Sequence, residues 1–475
     1  TEIKGFKVKE KLVVIGNGMS GLRTIEDLLE INKDKYEITI YGEEPHVNYN
    51  RIMLSYILSQ EKTFEDTIIN HQSWYEQNSI TLHKGDKVIS IDKHNKTIKS
   101  ESGKIESYDK LLIATGSTAF VPKTTGSELK NVIAFRTKAD VDAIISTIRK
   151  DKTAVVVGGG LLGLEAAYGI AMHGIKTILV HRSGSILSQQ LDSTGGKLLQ
   201  KNLEKYGIEF KLNTTIKEIS GDGIVEKVEF TDGVSVESNL VVFATGIIPN
   251  TALALDAQLD TRKGIIVDDF LKTSDDSIYA IGECVEHNGN TYGLVAPLYE
   301  QAKVLAKKLA NVTTPGYEGS TLSTRLKISG VDLFSAGDYL GDETTENLIL
   351  LDEKIGIYKK LVIYDNKIIG MVLYGDTADA SWYLKLLKEH TDISDLRTKI
   401  LFGKSALSGD SGHGGNDINS MSDDEEVCGC NGVCKGDIVT AIKEKDLKSL
   451  SDVKSCTKAG ASCGSCLGLV EQILV

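Results

Sequence analysis

The sequence predicts an α/β chain: two Rossmann-like units, then an α+β domain, then a small helical domain at the C-terminal end. Three observations carry this. An apolar run at residues 12–15 ends at Gly16, which with Gly18 and Gly21 forms a G-x-G-x-x-G turn, and helix-forming residues 23–30 follow. The same strand, turn and helix recur at residues 155–165, VVVGGGLLGLE, with Gly158, Gly160 and Gly163 at identical spacing. Six of the seven cysteines lie between Cys428 and Cys466.

Each glycine turn has a physical reading. Gly16 permits the tight turn, Gly18 lets a pyrophosphate approach the backbone, and Gly21 lets helix and strand pack closely. The free N–H groups at the helix start, on Met19 and Ser20, then face the phosphates. Leu161 and Leu162 stand at the same places in the second turn. Two dinucleotide sites in one chain point to two dinucleotides.

Composition sets the limits. The chain has 475 residues, 41% hydrophobic and 25% charged, as expected of a globular protein of several domains. A net charge of -12 argues against nucleic acid or an anionic membrane as the main partner. No apolar run approaches the roughly 20 residues of a membrane helix. The charged start, TEIKGFKVKEK, runs straight into the first strand and leaves no room for a signal peptide, so the cytoplasm is the expected location.

The first unit continues with a strand, YEITIY, ending at Gly42. An acid that holds an adenosine ribose is expected there, and Glu43 is the candidate. Arg51, in the polar loop after it, is placed to reach a phosphate or a flavin edge. Trp74 and Tyr75 read as a packing face without chemistry. Residues 88–91 and 97–98 read as a small meander. A strand ending in Thr115-Gly116 brings backbone to a nucleotide, and residues 241–250, VVFATGIIPN, repeat it with Gly246. This duplication predicts two similar nucleotide domains, the second inserted in the first.

In the second unit the strand at residues 177–180 ends in His181-Arg182. An acid at that position favours NAD and a basic residue accepts the NADP phosphate, so NADH and NADPH both stay open. Glu165 sits on the first turns of the helix, on the nicotinamide side. Gly282-Glu283 is where the chain should return to the first unit, with Glu283 placed to bond a flavin's ribityl hydroxyls. Cys284 beside it reads as a buried small hydrophobe. Residues 326–328, 333–336 and 358–371 read as strands, with an Asp365-Asn366 hairpin and a helix at 382–388, in a third domain expected to serve packing or dimerisation. The Gly-, Ser-, Asp- and Asn-rich stretch from residue 403 reads as a flexible linker.

The terminal segment carries Cys428-Gly-Cys430 and Cys463-Gly-Ser-Cys466. Four thiolates so spaced satisfy zinc or a [2Fe–2S] cluster, and the C-x-C pair leans toward iron–sulfur. Cys434 and Cys456 are extra. The chain has no cysteine before Cys284, so the loop at residues 48–55 offers no redox thiol.

The stretches VVIGNGMSGLRTIEDLL, YGEEPHVNYNRIMLS, YDKLLIATGS, VVVGGGLLGLEAA, YAIGECVEHNGNTYGLVAPLYEQAK, VCGCNGVCKGDIV and CTKAGASCGSC carry a resemblance. The chain resembles, over nearly its whole length, the N-terminal portion of the NAD(P)H-dependent assimilatory nitrite reductase large subunit and the electron-transfer subunit of assimilatory nitrate reductase. Its end is similar to bacterioferritin-associated ferredoxin (BFD) domains, which implies that Cys428, Cys430, Cys463 and Cys466 hold a [2Fe–2S] cluster. Likeness to ferredoxin and rubredoxin reductases implies that Val88 holds adenine through its backbone and that Arg51, Arg136 and Glu283 touch FAD. Two departures stand out: those reductases usually have lysine where Tyr56 follows Leu54-Ser55, and Asp where Glu283 stands.

The implied domains are FAD-binding at 1–118 and 249–318, NAD(P)-binding at 119–248, an α+β interface domain at 319–402, a linker at 403–427 and the BFD-like domain at 428–475. The implied function is transfer of electrons from NAD(P)H through FAD and the cluster to a nitrite or nitrate reductase catalytic partner. Rubredoxin or ferredoxin reductase is the rival enzyme, and a redox or metal sensor with a zinc-bound docking module is the rival outside enzymes. A homodimer stays open. The nitrite reductase large subunit normally continues into a sirohaem and [4Fe–4S] region, whereas this chain stops at Val475, so a free-standing subunit and a fragment both stay open.

Overall fold

The computed structural model describes residues 9–326, 328, 330–408, 418, 421–462, 464 and 466–475. The chain divides into two compact units. The first comprises Thr1–Arg51, Phe64–Thr118 and Ile247–Ser320; the second comprises Ile52–Thr63, Ala119–Gly246 and Thr321–Val475.

The core of the first unit is a five-stranded parallel sheet ordered Ile278–Ala280, Lys110–Ile113, Glu10–Ile15, Tyr36–Gly42, Thr81–Lys84. Strand Glu10–Ile15 sits in the middle and is buried on both faces, which explains its unbroken apolar run. Helices Met19–Asn32 and Val295–Leu309 pack against each other over this sheet. A three-stranded meander, Val88–Asp92, Thr97–Ser100 and Ile105–Ser107, stands where a meander is expected.

The second unit repeats the arrangement. Its parallel sheet runs Val132–Ala134, Leu240–Phe243, Thr153–Val157, Lys176–His181, Ile208–Leu212. The glycine-turn strand is again central, flanked by the Thr-Gly strand on one side and the ribose-side strand on the other. A meander, Ile216–Ser220, Lys227–Phe230 and Ser235–Glu237, completes the parallel with the first unit. In sequence, residues 119–246 lie between two pieces of the first unit.

One segment departs from the expected boundaries. Ile52–Thr63 belongs to the second unit, not the first. Its helix Leu54–Leu58 packs on helix Leu161–Ala171, where a Cβ on Gly169 would sit 2.8 Å from Leu58. The His173 Nε2–H donates to the Leu58 carbonyl at 2.6 Å.

The α+β part of this unit is an antiparallel sheet ordered Ser323–Arg325, Leu333–Gly337, Lys367–Tyr374, Ile357–Tyr364, Glu346–Asp352, covered by helix Ala380–Lys388. Asp365 and Asn366 form the hairpin turn with positive φ, as expected. The first strand is Ser323–Arg325; of the strand expected at residues 326–328, residue 327 lies outside the described residues and residues 326 and 328 are not in a strand. Strand Glu346–Asp352 was not expected at all: it is an edge strand with most side chains exposed, so it lacks the alternation that marks a half-buried strand.

The last part is small. Strands Glu426–Cys428 and Val433–Cys434 pair, followed by helices Lys435–Lys445, Leu450–Thr457 and Leu467–Leu474. Residues 409–417 and 419–420 of the expected linker lie outside the described residues. The rest of that stretch is built into the fold: Ile418, Met421 and Val427 join the apolar cluster of the terminal part. Among the described residues, no helix is long and apolar enough to cross a membrane.

Candidate functional site

The first glycine turn is shaped by sterics. Gly16 has φ +114°, and a Cβ there would lie 2.2 Å from the Ala114 carbonyl oxygen. Gly21 packs against Ala114 and the Gly16 carbonyl, at 3.0 and 3.2 Å from an added Cβ. Gly18 differs: its backbone is extended, and a Cβ would meet nothing within 4 Å. It also precedes helix Met19–Asn32, and no side chain caps that helix start. The N–H groups of Met19 and Ser20 thus begin a helix beside open space, which suits a diphosphate.

Residues that sequence reasoning passed over hold this turn. The Tyr75 hydroxyl donates to Asn17 Oδ1 at 2.9 Å, and Asn48 Nδ2 donates to the Asn17 carbonyl at 3.0 Å. Tyr75, read as packing alone, therefore also clamps the loop between the first two glycines. Its only sequence signal was an aromatic in a polar neighbourhood. After the edge strand Ile278–Ala280, Gly282 has φ +91°, its N–H donates to Gln301 Oε1 at 3.2 Å, and an added Cβ would meet Ser20 Oγ at 2.4 Å. The Gln301 Nε2 is buried with no acceptor, an orphaned donor beside the cradle that a bound oxygen-rich ligand could satisfy.

The neighbouring carboxylates Glu43 and Glu44 have different partners. Glu43 is exposed and pairs with Lys87 at 2.8 Å. Its neighbour Glu44 is the engaged acid: it pairs with Arg51 and accepts from the Tyr49 hydroxyl at 2.8 Å. Arg51 also lies over the Tyr49 ring. Glu283 accepts from Ser117 Oγ at 2.6 Å, and Thr115 and Asn250 bond reciprocally at 3.0 and 2.8 Å. Gly116 has φ +63° with open space at its Cβ position, and Val88 is buried at the start of its strand. Cys284 is fully buried, with burial pushing its thiol up, as a small hydrophobe should be.

The second turn copies the first. Gly158 has φ +122° with a virtual Cβ 2.3 Å from the Ala244 carbonyl oxygen; Gly163 would collide with the Gly158 carbonyl; Gly160 has open space and starts the uncapped helix Leu161–Ala171. Leu161 is half-buried and Leu162 exposed on its first turn, while Glu165 is buried. His181 accepts from the Gly159 N–H at its Nδ1, 3.1 Å away, so that nitrogen is unprotonated. Burial, and then the charge of Arg182, hold His181 below its usual range. Arg182 itself is exposed. Gly246 has φ +129° and open space. Arg136 lies in this second unit, where its backbone N–H donates to Asp140 at 3.0 Å.

In the terminal part, Cys428 and Cys466 are buried and Cys430 half-buried; Cys463 lies outside the described residues. The Cys466 thiol hydrogen-bonds to Cys428, and this is the main reason the Cys428 thiol is lowered to about 6. Asn431 Nδ2 donates to the Cys428 sulfur at 3.4 Å and to Ser462 Oγ at 3.1 Å, tying together the two cysteine-bearing loops. Backbone N–H groups of Gly460 and Asn431 also point to that sulfur. Buried sulfurs ringed by N–H donors are what iron-bound thiolates require. Cys434 caps helix Lys435–Lys445 through Asp437, and Cys456 lies in helix Leu450–Thr457.

Residues 10–305 match the family model for pyridine nucleotide-disulphide oxidoreductases. Residues 323–391 match the rubredoxin NAD+ reductase C-terminal domain, and residues 426–475 match the BFD-like [2Fe-2S] binding domain. A nitrite reductase [NAD(P)H] of Bacillus subtilis (strain 168) is 47% identical over 467 residues, covering 98% of this chain and 57% of that protein. The assimilatory nitrate reductase electron transfer subunit of the same organism is 42% identical over 466 residues, covering 98% of this chain and 59% of the relative. The chain thus spans less than two thirds of these curated relatives. The crystal structure of NADH:rubredoxin oxidoreductase from Clostridium acetobutylicum has TM-score 0.68 and 26% identity, covering 85% of this chain and all of that one.

Proposed function

The chain belongs to the pyridine nucleotide-disulphide oxidoreductase family, and from that membership we propose that it is an electron-input protein for nitrite or nitrate reduction. The family uses FAD with NAD(P)H, and the BFD-like domain adds a [2Fe–2S] site. When bound, FAD accepts the hydride of NAD(P)H, and the cluster carries electrons one at a time.

The residues divide the work. Gly16, Gly18, Met19, Ser20 and Gly21 hold the FAD diphosphate, Glu43 the adenosine ribose, Val88 the adenine, and Thr115, Gly116, Gly282 and Glu283 the flavin side. Arg51 and Arg136 supply charge to it. Gly158, Gly160, Leu161, Leu162, Gly163 and Gly246 cradle NAD(P)H, with Glu165 toward the nicotinamide and His181 and Arg182 toward the ribose. Cys428, Cys430, Cys463 and Cys466 hold the cluster. No side chain is needed as a general acid or base.

The observation that carries this reading is the pairing of Cys428 with Cys466 inside a shell of N–H donors, in a chain whose remaining thiol outside that domain, Cys284, is buried among apolar side chains. Electrons have a thiolate-bound exit and no dithiol one. The partner is a nitrite or nitrate reductase catalytic protein, as the names of the relatives suggest, and the location is cytoplasmic. A homodimer through the α+β domain is part of the same reading.

Anaerobic addition of NADH to the reconstituted protein tests it. Flavin bleaching should be followed by the EPR signal of a reduced [2Fe–2S] cluster. Bleaching without that signal would rule out internal transfer. A second reading, rubredoxin reductase, is favoured by the match at residues 323–391. Turnover with rubredoxin and none with the nitrite or nitrate reductase protein would select it.

A further inference from the structure

The two glycine turns are held differently. In the first, the residue between the leading glycines is Asn17, and Tyr75 and Asn48 clamp it with their side chains. In the second that place is Gly159, which has no side chain to hold. Its backbone is held instead. The Gly159 N–H donates to His181 Nδ1 at 3.1 Å, and its carbonyl accepts from the Leu187 N–H at 2.8 Å. That second bond comes from the loop of residues 182–192, which leaves strand Lys176–His181 on the ribose side and leads into helix Ser193–Glu204. Leu187 has φ +49°, uncommon for a residue with a side chain. The chain folds back on it, and the N–H groups of Gln190 and Leu191 donate to its carbonyl at 2.7 and 2.8 Å.

A loop with such a residue keeps its shape only where its surroundings fix it. Two of its anchors come from the α+β part of the same unit. The Tyr339 hydroxyl, just past strand Leu333–Gly337, donates to the Ser188 carbonyl at 2.7 Å. From strand Ile357–Tyr364, the Tyr358 hydroxyl donates to Asp192 Oδ2 at 2.6 Å, and Lys360 Nζ lies 3.5 Å from the same oxygen. Asp192 Oδ1 accepts from the Gly195 N–H at 3.0 Å and so caps helix Ser193–Glu204. Lys360 Nζ also donates to the Leu340 carbonyl at 3.3 Å. Tyr358 and Lys360 are both buried, and a buried ammonium that lost its carboxylate would be left unpaired. The contacts run in series: from the antiparallel sheet to Ser188 and Asp192, from Leu187 to Gly159, and from Gly159 to the open space at Gly160.

We propose that Tyr339, Tyr358 and Lys360 of the α+β part hold the loop of residues 182–192 in the shape that binds the adenosine half of NAD(P)H, so that this domain sets the affinity of the second glycine turn for its dinucleotide. The proposal rests on the reading of that turn as the NAD(P)H site. All three are positioning residues: they act through Ser188 and Asp192 and do not touch the dinucleotide. Their bonds are in place before it arrives, so binding does not have to order the loop. Without them the loop spends part of its time in other shapes, and affinity falls by that fraction. Hydride transfer is left alone, because the nicotinamide is at the opposite end of the dinucleotide.

The test uses the full-length FAD-loaded protein. Titration calorimetry with ADP-ribose, the part of NADH that lacks nicotinamide, reads binding without redox chemistry. The NADH dependence of flavin reduction in anaerobic stopped flow separates affinity from the limiting rate. Tyr339→Phe with Tyr358→Phe removes both hydroxyls and keeps both rings. It should raise the Kd for ADP-ribose and the apparent Kd for NADH by about fivefold to tenfold, with the limiting rate of flavin reduction unchanged. Hydrogen exchange at the Leu187 amide should quicken. Tyr374→Phe is the control, since the Tyr374 hydroxyl bonds Asn202 and the Leu198 carbonyl farther along the same helix. It should leave both constants at the parent values. Unchanged constants in the double variant would overturn the proposal, and so would an equal rise in Tyr374→Phe or a lower limiting rate at unchanged Kd. If the double variant does not fold, Tyr358→Phe alone, with Lys360 still beside Asp192, decides by the same criteria. A parent protein that binds neither ADP-ribose nor NADH overturns the NAD(P)H reading of the second turn itself.

Discussion

At the scale of single residues, the glycines separate into two kinds, and the difference is testable. Gly16 and Gly158 have positive φ and no room, so an alanine at either strains the backbone and strikes a carbonyl. Gly18 and Gly160 have negative φ and open space at the Cβ position. Gly18→Ala should therefore leave the melting temperature of the flavin-free protein unchanged while weakening FAD binding at least about tenfold, or about 1.4 kcal/mol. Gly160→Ala should do the same to the KM for NAD(P)H with FAD binding intact. Flavin titration by fluorescence and steady-state kinetics check both; a large fall in stability of either variant would refute the reading of an empty cradle. The spacing alone made all six glycines legible, but not which of them leave space. Nor did it show that Glu44 is engaged by Arg51 and Tyr49, which come back to it across a loop. His181 adds a pH effect. Burial and Arg182 hold it below its ordinary value, so as pH falls from about 6.5 the unfolded chain takes up the proton first. The stability from neutral His181 is complete above that pH and is lost as pH falls through the folded value. NMR titration should place its midpoint below 6.5, with the Gly159 amide shifting in step as its acceptor is protonated.

At the scale of elements, the central strands and the helices after them were legible because burial on both faces writes a continuous apolar run, and the turn after it needs glycine. The edge strands were not. Glu346–Asp352 presents mostly exposed side chains, and Ser323–Arg325 is polar, with its place set by pairing to residues 334–336 rather than by its own pattern. Helix Lys138–Thr147 shows what local chemistry does decide. Thr137 accepts from the Asp140 N–H and Asp140 accepts from the Thr137 N–H, a complete capping box. Thr137→Ala should cost about 1 kcal/mol and lower the melting transition of the second unit by roughly 2–4 °C, while Thr137→Ser keeps most of it. Calorimetry with both variants checks this.

At the scale of the whole molecule, the two nucleotide units and the cysteine domain differ in what they can support unaided. Each nucleotide unit encloses a five-stranded sheet with a long roster of fully buried side chains. The cysteine domain has some fifty residues by the extent of its family match and a core of small residues, chiefly Val427, Val433, Ile438, Val453, Ala459 and Val470. A chain of that size with so little apolar volume sits near the margin of stability. Its loops converge on Cys428 and Cys466, so metal binding and folding should be one process there. Removing iron with a chelator under reducing conditions should therefore unfold residues 426–475 and leave the rest folded. Hydrogen-exchange mass spectrometry is the direct measurement: helices Lys435–Lys445 and Leu450–Thr457 should lose protection, while strand Glu10–Ile15 and helix Leu161–Ala171 keep theirs. If those terminal helices stay protected without iron, the apolar cluster alone holds the domain, and the metal is needed for electrons but not for the fold.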